Sequence, residues 1–124
     1  GHAAVSQLWQ QATPPDGIFC GNDQIARGVV DALRERGVAV PADVSVIGFD
    51  NWEIVAAATR PPLTTVDMNL KELGRVAGRL ILDLAEGKPV EPGIRTLPCK
   101  LVVRQSCGGD MLAGPNRQEV LQEV

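Results

Sequence analysis

The sequence predicts an α/β fold in which a parallel sheet is flanked by helices. Two observations carry this. Short apolar segments of strand length alternate with segments of helical apolar periodicity. The connections between them are short, and strands joined through helices in this way lie parallel. With 44% apolar and 22% charged residues among 124, the composition is that of one small soluble globular domain. Aromatics make up only 3%, so the core must be built from Val, Leu, Ile and Ala.

Taken in order, residues 4–12 (AVSQLWQQA) read as the end of a helix that Thr13-Pro14-Pro15 stops. Asp16-Gly17 is a turn, and Ile18-Phe19-Cys20 lies in a buried strand expected over 17–21. Asn22 and Asp23 supply an N-cap, after which Ile25, Val29, Ala32 and Leu33 recur on one helical face until Gly37 closes the helix. A second strand is expected over 44–48, ending at Gly48, and Asn51 can cap a short helix that must stop before Pro61-Pro62. Residues 63–66 form a third strand. Asn69 and Glu72 have the spacing of a capping box, and Leu70, Leu73, Ala77, Leu80, Ile81 and Leu84 give the longest apolar stripe, ended by Gly87 and Pro89. Residues 94–104 read as one or two strands, with Pro98 suited to an edge or a break. From Gly108 onward the chain reads as a flexible tail with a weak helix over 117–124.

Several function classes are set aside by what is missing. A net charge of −3 provides no basic surface for holding nucleic-acid phosphates. Cys20, Cys99 and Cys107 form no CxxC pair, and a single histidine leaves no zinc-ligand spacing, so free thiols in a reducing cytoplasm and no metal are expected. No stretch approaches the roughly 18 apolar residues of a membrane span. GxSxG, Walker-type GKS/T, GxGxxG and Cys/His motifs are all absent, so neither an enzyme nor a cofactor is expected.

In parallel sheets, ligands sit beyond the carboxyl ends of the strands. Two strands here end in polar pairs at that place, Asn22-Asp23 and Asp50-Asn51. Asn22 offers donor and acceptor, and Asp50 an acceptor-only carboxylate, a mixture that suits a hydroxyl-rich or heterocyclic ligand. A charged acceptor roughly doubles the strength of such a bond. Each also has a plainer role open to it: Asn22 as a helix cap and Asp50 as a turn residue. Asp23 is expected to cap the helix and favour its dipole rather than to meet ligand. Trp52 either stacks on a sugar or base face or covers the short helix.

Five segments carry a family resemblance. GIFCGNDQ (17–24) resembles a strand leading to an (A/C)ND(Q/E) turn, and VPADVSVIGFDN (40–51) resembles (V/I)PxDxSVxG(F/Y)D(D/N). PPLTTV (61–66) resembles PPLTT(I/V), residues 70–87 resemble LGxxAxxxLLxxxxG, and LVVRQS (101–106) resembles LxxRxS. In this order and spacing, the chain resembles the C-terminal part of the effector-binding core of the lac and gal repressor family of transcriptional regulators.

The resemblance implies a two-lobed, periplasmic-binding-protein-like (type I) fold that clamps a small effector, a sugar or related metabolite, between lobes. Residues 1–107 would be a partial effector-binding domain, with the helix at about 70–86 belonging to the other lobe and 108–124 a tail. Operator DNA would be held only through an N-terminal helix-turn-helix domain that these residues lack, in a cytoplasmic homodimer. It places the effector at Asn22 and Asp50, with Trp52 and Met68 beside it; Met68 stands where the family often has Gln, which hints at a less polar pocket. It also implies dimer contacts through the outer face of the long helix (Arg27, Asp31) and through Ile54, Val55 and Ala57, whose alternative is burial within the lobe. A periplasmic sugar-binding receptor of the same fold, serving transport or chemotaxis, is the competing function.

Overall fold

The computed structural model describes residues 1–109, so most of the expected tail, including the helix at 117–124, lies outside the described residues. The elements run α1 (His2–Leu8), β1 (Gly17–Phe19), α2 (Asp23–Glu35), β2 (Ser45–Phe49), α3 (Glu53–Ala58), β3 (Thr64–Asp67), α4 (Leu70–Ala85) and β4 (Lys100–Val102), followed by a 3-10 turn at Gln105–Cys107. The sheet order is β1-β2-β3-β4. β1 and β2 are parallel, with Ile18 opposite Val46, and so are β2 and β3, with Gly48 opposite Thr65. β4 returns antiparallel to β3. The three expected parallel strands are therefore all present and neighbours.

α2 organises the core. Asn22 caps it, its Oδ1 accepting the Ile25 N–H at 2.8 Å. Ala26, Val29, Val30, Ala32 and Leu33 are buried against β2, Leu63 and Ala56, while Val5 of α1 packs into the same cluster. Ile25, expected on this face, is instead exposed, and Ala26 takes its place. The helix ends as the sequence predicts. Gly37 adopts φ +71°, its N–H reaches Arg34 O and the Val38 N–H reaches Leu33 O, a Schellman closure that only a residue without Cβ makes without strain.

Four local expectations need correction. α1 stops at Leu8 rather than continuing to Ala12, with Val5 its one buried residue, and so short a helix depends on packing rather than on its own propensity. Asn51 does not cap α3; Trp52 occupies that position without a side-chain cap bond, and the Asn51 side chain is engaged elsewhere. The capping box at Asn69 and Glu72 does not form. Asn69 is left-handed (φ +56°), whereas a cap residue is extended, and Glu72 pairs with Arg75. Between 94 and 99 there is no strand, and β4 is confined to three residues.

α4 is amphipathic in sequence, yet none of its residues is buried. Leu70, Leu73, Ile81, Leu82 and Leu84 are all exposed. No helix among the described residues is long and apolar enough to cross a membrane.

Candidate functional site

The carboxyl ends of β1, β2 and β3 converge on Asp23. Its side chain is 1% exposed, and it sits in the first turn of α2 without capping it. One carboxylate oxygen accepts the Thr65 hydroxyl of β3 at 2.5 Å, and the other accepts the Trp52 N–H, beyond β2, at 2.8 Å. The carboxylate can lie so close to β2 only because residue 48 is glycine: a Cβ there would stand 2.3 Å from Asp23 Oδ1 and 2.9 Å from Leu63 Cδ2. The expectation that Asp23 caps α2 is thus corrected. It braces the strand ends instead.

The segment after β2 is held in an unusual shape. Asp50 (φ +109°) and Asn51 (φ +50°) are consecutive non-glycine residues at positive φ, a conformation that costs on the order of 1–3 kcal/mol per residue and persists only where the surroundings enforce it. They do. The Asp50 N–H donates to Val66 O at 2.9 Å, the Asn51 N–H to Thr65 Oγ1 at 3.3 Å, and the Trp52 N–H to Asp23. The Asn51 side-chain amide donates to Asp67 Oδ2 at 3.0 Å, while its oxygen accepts Arg104 Nη2 at 2.9 Å. Arg104 also donates to Leu63 O at 2.8 Å. The Asn69 N–H and the Asn51 amide beside Asp67, helped by Lys100, hold its carboxyl below the usual aspartate range.

Against this scaffold the expected ligand residues fall as follows. Asp50 is half-buried at the end of the central strand β2, and among the described residues its carboxylate accepts no hydrogen bond. Asn22 spends its oxygen on the helix cap and keeps its amide N–H groups free among the described residues. Trp52 is anchored through its backbone with a half-exposed indole, and half-buried Met68 follows β3. All four therefore stand at the carboxyl edge of the sheet. Burial pushes the thiol of Cys20, beneath this edge, up to about 11, which keeps it neutral and unreactive. No group of His, Cys, Asp and Glu among the described residues could hold a metal ion.

The residues expected at a dimer contact divide. Arg27 and Asp31 lie on the outer side of α2, 3.9 Å apart, with Asp31 also bonded to Arg34 at 2.8 Å. Ile54 is 75% exposed and Ala57 is exposed, but Val55 is buried within the lobe, so it offers no surface. A concavity of about 300 Å³ lined by Trp9, Pro14, Pro15, Asp16, Val38 and Asp43 opens at the amino ends of β1 and β2, away from Asp50.

Sequence reasoning missed Asp23, Thr65, Asn51 and Arg104 as the frame of the site. The available signal was the Thr64-Thr65 pair in β3, two polar side chains in a sheet interior, which must find partners when buried.

Comparison with known proteins follows the same geometry. Residues 1–107 match the family model of the periplasmic binding protein-like domain. The chain is 39% identical over 106 residues to the HTH-type transcriptional repressor CytR of Escherichia coli (strain K12), an alignment covering 86% of this chain and 31% of CytR. It is 37% identical over 106 residues to the catabolite control protein A of Priestia megaterium, covering 86% of this chain and 32% of that protein. Among solved structures it matches the lac repressor dimer bound to operator and the anti-inducer ONPF, with a TM-score of 0.76 and 33% identity over 86% of this chain and 32% of that one. It also matches the complex of the transcriptional regulator CelR with cellobiose, with a TM-score of 0.75 and 35% identity over 84% and 32% of the two chains. The chain spans about a third of the length of these relatives. The relatives are transcriptional regulators, which lends the receptor alternative no support.

Proposed function

Because the chain belongs to the periplasmic binding protein-like domain family, as a core segment of the lac and gal repressor type, we propose that it senses a small-molecule effector for a DNA-binding transcriptional repressor. The effector is a sugar or a related metabolite. It sits at the carboxyl edge of the sheet, between this lobe and a second lobe to which α4 belongs. Operator contact is made by a part of the protein outside these 124 residues, whose net charge is −3. The protein works as a cytoplasmic homodimer, with Arg27, Asp31, Ile54 and Ala57 at the contact, and performs no catalysis.

The observation that carries the reading is Asp50. Strain is held in the backbone at Asp50 and Asn51, their N–H groups are bonded to β3, and the Asp50 carboxylate is left without a partner among the described residues. A fold that holds a strained, charged acceptor free at the carboxyl edge of a parallel sheet is equipped to bind donors on a ligand. The Asn22 amide supplies a donor at the same edge of the sheet, and the Trp52 indole a flat apolar surface. CelR was solved with cellobiose, a hydroxyl-rich ligand of this chemistry. Met68, which can donate no hydrogen bond, favours an effector with one less polar face.

In the full-length protein, Asp50→Ala is expected to weaken effector binding roughly 10- to 150-fold, the equivalent of a charge-assisted hydrogen bond of about 1.5–3 kcal/mol. Operator affinity without effector should stay near the parent value. Effectors are first found by a thermal-shift screen of sugars and nucleosides, then titrated calorimetrically. Unchanged affinity together with a lowered melting temperature would make Asp50 a turn residue only.

A further inference from the structure

We propose that Asn51 is a positioning residue that ties the Asp50 loop to Asp67, the point where the chain leaves the sheet for α4, and to Arg104, which follows the return strand. Occupancy at Asp50 and the placement of α4 are then one linked equilibrium. The inference rests on the effector reading for what fills the site; the linkage itself rests on the hydrogen bonds around Asn51.

The chain leaves the sheet at Asp67 and re-enters it at Lys100, and these two residues face each other in the β3–β4 register. Asn51 uses one end of its amide on the exit residue of that crossing and the other on an arginine anchored at the start of β3. Its Nδ2 donates to Asp67 Oδ2 at 3.0 Å, and its Oδ1 accepts from Arg104, just beyond β4, at 2.9 Å. The other Asp67 oxygen accepts the N–H of Asn69 at 2.7 Å, the left-handed residue that turns the chain into α4. One peptide bond therefore separates Asp50 from a side chain clamped between the exit residue Asp67 and Arg104. Only an amide does this, since a carboxylate at 51 would accept from Arg104 but could donate nothing to Asp67.

Among the described residues α4 has no buried residue of its own to hold it in place. A ligand that repositions Asp50 must displace Asn51, and through it Asp67, where the chain departs for α4. By reciprocity, any partner that repositions α4 alters the Asp50 loop and its affinity by the same factor. The charged groups facing Asp67 are Lys100 across the strand pair and Arg104 one residue beyond the Asn51 amide.

The test needs no ligand, so its failure is separable from failure of the effector reading, which the Asp50→Ala titration decides. In this chain, NMR titration of the Asp67 carboxyl carbon is combined with amide exchange at Asn69. Asn51→Ala should move the Asp67 midpoint up toward the ordinary aspartate value and speed Asn69 exchange roughly fivefold or more. The amides of Leu33 and Val46 in the core should keep their protection. Should Asn51→Ala fail to fold, Asn51→Asp carries the same expectation for the midpoint, with a larger rise from carboxylate repulsion. A double-mutant cycle then tests linkage. Asp50→Ala should shift the amide resonances of residues 69–73 when Asn51 is present and leave them unmoved when residue 51 is Ala. An unchanged Asp67 midpoint, or equal shifts at 69–73 in both backgrounds, overturns the proposal.

Discussion

The carboxyl edge of the sheet and α4 are opposite in kind. At the sheet edge, Asp23, Thr65, Asn51, Asp67 and Arg104 satisfy one another and the backbone of residues 50–52 so fully that no buried side-chain nitrogen or oxygen among the described residues lacks a partner. α4 is longer than any other helix described, carries a strong apolar stripe, and buries none of it. The first region closes its own buried hydrogen bonds; the second leaves its apolar stripe uncovered. Amphipathic periodicity reports that a helix needs an apolar partner, not where that partner is. Polar networks built from short side chains have no such freedom, because each donor must meet its acceptor within about 3 Å.

The sharpest way to break this contrast is Asp23→Ala. It removes two charge-assisted bonds and leaves the Trp52 N–H and the buried Thr65 hydroxyl short of partners. With such bonds worth about 1.5–3 kcal/mol each, a net loss of about 3 kcal/mol is expected in urea denaturation. No single substitution on α4 should approach that.

Paired glycine substitutions compare the regions directly. Gly48→Ala drives a Cβ into the Asp23 carboxylate and Leu63, and should destabilise by about 1–3 kcal/mol. Gly78→Ala, with nothing within 4 Å of the new methyl, should instead stabilise α4, by at most about 1 kcal/mol of helix propensity. Melting curves and helical circular dichroism read both, and equal signs would erase the distinction.

The smallest effect on stability is expected from Ile81→Ser combined with Leu84→Ser, within about 0.5 kcal/mol because both side chains are already exposed. The same pair should alter assembly. In isolation the chain is expected to self-associate through the uncovered stripe, and light scattering should show the double variant shifted toward monomer. A parent chain that is strictly monomeric at high concentration would count against α4 as an open interface.

What the sequence determined by itself is whatever depends on periodicity and on local chemistry. The parallel strands, the helix closures at Gly37 and Gly87, the Asn22 cap, the amphipathicity of α4 and the place of Asn22 and Asp50 at strand ends were legible from neighbouring residues. The tertiary structure decided what depends on residues far apart in the chain. Asp23 looked like a cap and became a brace, because Thr65 lies 42 positions away and Gly48 leaves the space between them. Asn51 looked like a cap and became a junction, because its partners are at 67 and 104. Val55 was open to dimer contact or to burial and proved buried, since the α3 face turned inward is set by packing on the rest of the lobe rather than by so short a sequence. Local preference is written along the chain, whereas which acceptor a buried donor meets is settled only when the chain is closed around it.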